Sequence, residues 1–230
     1  MIDWPLVINR NRDLLLQIVA ALFAMARMSQ GNAPATVPRH VYRAVLRVLR
    51  SAESAVRRLI IISARGLVLN APAPRPIPAG LHLLPHGSAS RAPAFVLIDP
   101  LKRFTQPRVT EDAVELPRIS LPGVFDPLFL PPKPAPSIDD QIGAINLCHR
   151  LNALRRALDT LPAQARRLAR WRARLAPKPG DNVPFRIGRR SPFRPGLPPG
   201  YRKRQSHQID TILADCHYFA LESCKPADTS

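Results

Sequence analysis

The chain has 230 residues, 46% of them apolar, which is enough for one or two domains with a core and argues against wholesale disorder. Its 27 prolines against 10 glycines exclude helix and central strand over long stretches, so the folded part is expected to be smaller than the length suggests. The net charge of +18 is concentrated: residues 39–65 carry +6 and residues 149–204 carry +14, while residues 66–148 balance at 0 and residues 205–230 carry −3.

Such basic blocks suit polyanions, either nucleic acid or an acidic membrane surface. The plainer reading is compositional, because 29 of the 34 basic residues are Arg in a chain rich in Ala and Pro, the profile of GC-rich genomes. Cys148, Cys216 and Cys224 are widely spaced and form no CxxC pair, which fits a reducing compartment.

The first predicted helix covers residues 11–28. Leu14, Leu15, Leu16, Ile18, Val19, Leu22, Phe23 and Met25 wrap most of its circumference, with Gln17 as the polar interruption. Its apolar part is shorter than the roughly 20 residues that span a bilayer. Ala24-Met25-Ala26 imitates a signal-peptide cleavage site, but Trp4, Leu6, Val7, Ile8 and two aspartates precede the run where a short basic region would stand. The expectation is a helix buried in the fold or packed on a partner, in a cytoplasmic protein. The alternative is inner-membrane association through residues 11–28.

Pro38 opens a second helix that runs to Arg65, with Gly66 as its stop. Val41, Val45, Val48 or Leu49, Ala52, Val56 and Leu59 form its apolar stripe, and Ile60, Ile61 and Ile62 thicken that side near the end. Arg39, Arg43, Arg47, Arg50 and Arg57 form a basic face, read either as solvated or as tracking phosphates or lipid headgroups. The helical pair makes an N-terminal unit of residues 1–66.

Residues 67–136 form a proline-rich extended arm, with 15 prolines between Ala71 and Pro136. Phe95-Val96-Leu97-Ile98 is a strand candidate. Ile98-Asp99-Pro100-Leu101 is echoed by Phe125-Asp126-Pro127-Leu128, and the Asp-Pro pairs read as turn starts. The second reading of these apolar pieces is that they dock along the helices or along a protein partner.

Residues 137–176 carry the strongest helical signal. Leu147, Leu151, Leu154, Leu158, Leu161, Ala165 and Leu168 recur at alternating steps of four and three. Ser137 with Asp140 resembles a capping box, which predicts a helix over residues 138–159. Thr160 before Pro162 is a good cap and proline suits a first turn, which predicts a second helix over residues 161–176. The two form a hairpin or meet at a kink, and the unbroken register favours the kink. Unpatterned e and g positions speak against a parallel coiled coil. Leu158-Asp159-Thr160-Leu161-Pro162 is similar to the opening of the promoter-reading domain of sigma factors, but Pro177, Pro179 and Gly180 leave no helix-turn-helix to follow.

Residues 177–205 are a basic Pro/Gly-rich linker. The stretch around Gly188-Arg189 resembles a degenerate AT-hook, although Arg190 and Ser191 follow and proline comes only at Pro192, so the defining tripeptide is absent. What survives is arginines, the aromatics Phe185, Phe193 and Tyr201, and an extended backbone, the ingredients of sequence-tolerant nucleic-acid contact. Residues 206–230 hold a short helix from Ser206, its cap, to about Leu221, with Ile209, Ile212, Leu213 and Cys216 on its apolar face. His207, Cys216, His217 and Cys224 match no familiar zinc spacing.

Pro-Arg-His-Val-Tyr-Arg-Ala-Val-Leu-Arg-Val-Leu-Arg at residues 38–50 and Pro-Gly-Leu-Pro-Pro-Gly-Tyr-Arg-Lys-Arg at residues 195–204 look like uncharacterised proteins of alphaproteobacterial genomes. That resemblance implies no activity and no site residues. The chain has no GxSxG, HExxH, GxGxxG, Walker loop or CxxC pair. Asp139-Asp140 needs no role beyond a helix N-terminus.

These readings together predict a mainly α protein, a few-helix assembly with a long proline-rich irregular arm and a basic extended tail segment. The function expected is non-catalytic: nucleic-acid binding by arginine–phosphate contacts with little sequence specificity, and no cofactor or metal. The expected contacts are Arg166, Arg167, Arg170 and Arg174 on the helix, then Arg186, Arg189, Arg190, Arg194, Arg202, Lys203 and Arg204. The alternative is a membrane-peripheral or protein-interaction scaffold in which the basic charge serves only solubility.

Overall fold

A computed structural model of the chain describes residues 2–28, 34–69, 93–100, 137–175 and 191–225. Among them the protein is mainly helical, with five helices and one two-stranded sheet. The helices are α1 (Trp4–Met25), α2 (Arg39–Ser63), α3 (Ile145–Asp159), α4 (Leu161–Leu175) and α5 (Gln208–Cys224); the strands are β1 (Thr36–Pro38) and β2 (Gln141–Gly143). Most of the proline-rich arm lies outside the described residues, as does the Phe125-Asp126-Pro127-Leu128 echo.

α2 is the element on which the other helices are laid. A surface helix buries one stripe, but from Ser51 to Ile62 every residue of α2 except the half-buried Glu53 is buried. The three isoleucines at 60–62 point in three directions and each finds a neighbour, because α1, α3, α4 and α5 all pack on α2. The helix ends where the sequence placed its stop: Ala64 closes the last turn and Gly66 takes the left-handed φ of 72° that glycine accepts without strain.

α1 begins earlier than its hydrophobic pattern indicated, at Trp4 instead of residue 11. Asp3 caps it by accepting from the Leu6 N–H at 3.1 Å, and Pro5 sits in the first turn where its missing N–H costs nothing. Its face of Leu15, Ile18, Val19 and Leu22 is buried within the fold. No helix among the described residues is long and apolar enough to cross a membrane.

The Ser137–Asp140 capping box does not form, and the third helix does not start at residue 138. Gln141–Gly143 instead pairs antiparallel with Thr36–Pro38, Val37 opposite Ile142, and α3 starts at Ile145. The reason lies at the start of α2, whose first N–H groups have no acceptor within their own helix. The Asp140 and Ile138 carbonyls supply it, taking hydrogen bonds from Arg39 at 2.8 Å and His40 at 3.2 Å. Residues 138–140 therefore cap α2 rather than α3.

The leucine stripe is borne out: Leu147, Leu151, Leu154, Leu158, Leu161, Ala165 and Leu168 are all buried. The chain does break at Thr160, with φ −111° and ψ 35°. Its hydroxyl, however, does not cap α4; it donates back to the Arg156 carbonyl at 2.7 Å, and the Thr160 carbonyl takes the Ala163 and Gln164 N–H groups. The two helices lie on α2 more than along each other, so they are not a side-by-side hairpin.

Two further expectations change. Phe95–Ile98 is extended but forms no strand ladder; it lies along the helices with Phe95, Leu97 and Asp99 buried and Val96 turned out, as the docking alternative had it. α5 is capped by His207, not Ser206. The His207 Nδ1 accepts from the Ile209 N–H, and Asp210 accepts from the backbone N–H groups of Ser206 and His207.

Candidate functional site

Arg57, Arg58 and Asp99 carry charge into the interior. Arg58 is 1% exposed and grips Asp99 with both Nη atoms, at 2.7 Å and 3.1 Å. Its Nη1 also donates to the Ser54 carbonyl and hydroxyl, and its Nε reaches the His217 Nδ1 at 3.4 Å. Arg57, expected on a solvated basic face, is buried instead: its Nε donates to the Val96 carbonyl at 3.1 Å and its Nη1 to Asp99 at 3.3 Å. Glu53 faces Arg57 at 3.6 Å and is held in a fork by Arg150 at 2.8 Å and 2.9 Å.

Burial pulls the Asp99 carboxyl upward, but the hydrogen bonds and charges of Arg58 and Arg57 outweigh it and hold it below the ordinary carboxylate range. Burial lowers Arg57, against the opposing pull of Glu53 and Asp99. His217 is lowered by burial first and by the Arg58 charge second. The cluster fixes residues 93–100 to α2. Arg156 adds a hydrogen bond to the Pro93 carbonyl at 3.0 Å, and Arg167 one to the Phe95 carbonyl at 2.8 Å.

The ten arginines and one lysine singled out from the sequence therefore part company. Arg186, Arg189 and Arg190 lie outside the described residues. Arg167 holds the 93–100 segment, and Arg194 closes a turn on the Leu197 carbonyl at 2.8 Å. Arg166 lines a cavity that also takes in Ser63, about 20 Å along α2 from Arg50 at 1.5 Å per residue. Arg170 and Arg174 are exposed on α4 without an ion-pair partner among the described residues.

Arg202, Lys203 and Arg204 follow a glycine that touches α2. The Ser51 hydroxyl donates to the Gly200 carbonyl at 3.0 Å, and Gly200, with φ of 84°, lies so close that a Cβ there would sit 2.9 Å from the Ser51 Cα. Ser51 follows Arg50 and stands one helical turn beyond Arg47. The contact ties the chain two residues before Arg202 to α2 next to Arg50, and Arg43, Arg47 and Arg50 are exposed on the half of the helix that precedes it. Among the described residues none of these six cations is in an ion pair. The sequence hid this junction because its two halves are about 150 residues apart and only a serine and a glycine make it.

Burial raises the Cys148 thiol and pushes Cys216 up to about 12, which keeps both protonated at neutral pH. Among the described residues no group of three or more His, Cys, Asp or Glu comes together to hold a metal ion. No protein-family model matches the chain, and neither a curated protein nor a solved structure is significantly similar to it, so what the site does follows from its own chemistry.

Proposed function

We propose that the protein is a non-catalytic nucleic-acid-binding protein that contacts phosphates through arginine and lysine with little sequence specificity. The contacts are Arg43, Arg47 and Arg50 on α2 together with Arg202, Lys203 and Arg204. The observation that supports it is the Ser51–Gly200 contact, which joins two basic blocks that the sequence keeps apart and adds no carboxylate to neutralise them. Arg43 to Arg50 span about 10 Å of helix at 1.5 Å per residue, a length over which a nucleic-acid backbone offers several phosphates. Guanidinium groups without aligned base-reading side chains position a duplex but do not read it.

The test is fluorescence anisotropy of the full chain with labelled duplexes of unrelated sequence across a salt series. Six phosphate contacts predict a log–log salt slope of about −5, and a loss of roughly a thousandfold in affinity between 50 and 200 mM salt. The triple substitutions R43Q/R47Q/R50Q and R202Q/K203Q/R204Q should each lower the magnitude of that slope by about 3 without lowering the melting temperature. No binding at 50 mM salt, or slopes untouched by both triple variants, would refute the reading.

A further inference from the structure

A cavity of about 510 Å³ opens between the start of α1, the end of α2 and the α3–α4 joint. It stands apart from the proposed nucleic-acid contacts, at the other end of α2. We propose that it binds a small amphipathic anion, a single carboxylate or phosphate group carrying an apolar body.

The polar side of the cavity is cationic. Arg12 reaches in from α1 and Arg166 from α4. The Arg12 Nε donates to the Leu158 carbonyl at 3.0 Å, which holds the guanidinium at the cavity wall and leaves its Nη atoms free to donate to a ligand there. Neither arginine is in an ion pair among the described residues. The single acid of the lining, Asp159, faces Arg155 at 4.0 Å, so the cavity keeps an excess of positive charge. Ser63 already gives its hydroxyl hydrogen to the Leu59 carbonyl at 2.9 Å, which leaves donation toward a ligand to the two arginines and the Asn9 amide.

The opposite side is apolar. Ile8, Leu161 and Ala165 form its wall, and Leu67 stands at the mouth, 41% exposed. A few convergent polar groups over an apolar wall, in a volume between roughly 300 and 1,000 Å³, is the pattern of a small-molecule site. A polymer backbone is too extended to be enclosed here, and a cation meets two guanidinium groups. A headgroup caught by the arginines with its hydrocarbon on Ile8, Leu161 and Leu67 satisfies both halves of the lining.

The same chemistry occurs in free fatty acids or alkyl phosphates and in the lipids of an anionic membrane, and a calorimetric titration of the full chain separates them. Monomeric octanoate and octyl phosphate should bind at one site per chain. Acetate, inorganic phosphate and octyltrimethylammonium should bind at least tenfold more weakly, since each lacks one half of the match. Arg166 and Leu67 are exposed enough to replace without disturbing the core, so R166Q and L67D should each weaken octyl phosphate at least tenfold with an unchanged melting temperature. R43Q/R47Q/R50Q should bind octyl phosphate as the parent chain does, which keeps this outcome separate from that of nucleic-acid binding. Equal binding of octyltrimethylammonium, or no effect of either single substitution, would overturn the assignment. So would co-sedimentation with vesicles of phosphatidylglycerol and phosphatidylcholine by a chain that ignores free octyl phosphate.

Discussion

Asp99 is the residue on which the arm and the helices agree. Arg58 is buried against its carboxylate, 2% exposed, and Arg57 shares that carboxylate while facing Glu53 as well. Removing one partner of such a group leaves a charge in the interior, so D99A should cost about 3–5 kcal/mol, read as a lower urea midpoint. D99N, which keeps an acceptor for Arg58, should cost less. The same cluster sets the response to acid. The folded Asp99 carboxyl is held below its ordinary value of about 3.9, so its contribution is present above that pH and is lost as pH falls through its folded value. His217 acts earlier. Its folded pKa lies below the ordinary value of about 6.5, so on acidification the unfolded chain takes up a proton that the folded one refuses. Stability should therefore be level from pH 8 to 7 and fall as pH drops from about 6.5 toward the lower folded pKa. H217Q, which cannot titrate beside Arg58 and Asp99, should remove that part of the slope in urea melts at pH 7.5 and 5.5. Parallel slopes for the two chains would place the effect elsewhere.

At the scale of elements, signals carried within one helix were legible and signals carried between distant segments were not. The stripe from Leu147 to Leu168, the Gly66 stop and the break before Pro162 depend on spacing along one stretch of chain, and all three stand in the fold. Residues 138–140 misled because Ser137 and Asp140 copy a local pattern, while the N–H groups they serve belong to Arg39 and His40, about 100 residues earlier. Arg57 shares the spacing of a solvated face, and nothing near it in sequence announces Asp99. The start of α5 shows the same failure at close range. Ser206 has the favoured cap chemistry, yet the chain places His207 at the cap and uses Asp210 to accept from two backbone N–H groups, at 3.1 Å and 3.2 Å. D210A should accordingly destabilise the protein by about 1–2 kcal/mol, and S206A by only a few tenths, in paired thermal melts. A larger loss for S206A than for D210A would restore the serine as the cap.

For the whole molecule the governing quantity is the +18 net charge set around a core that has already used its best ion pairs inside. Arg58–Asp99 and Arg150–Glu53 are close contacts at 2.7 Å and 2.8 Å, the first fully buried, and added salt reaches them little. What salt does reach is the repulsion among the exposed cations, including that between the α2 face and the arginines about 20 Å away at the cavity end. At 0.01 M salt the screening length is about 30 Å and these groups feel one another; at 0.15 M it is about 8 Å and they do not. Self-repulsion destabilises the compact state, so raising sodium chloride across this range should raise the melting temperature, by about 2–4 °C if the relief is near 1 kcal/mol. Nucleic-acid affinity should fall over the same interval, giving salt effects of opposite sign on stability and binding. R43Q/R47Q/R50Q removes charge from both balances and should flatten both dependences together. A melting temperature that falls with salt would mean that exposed cations are on balance attracted to the rest of the protein, and the case for an unneutralised phosphate-binding face would fail with it.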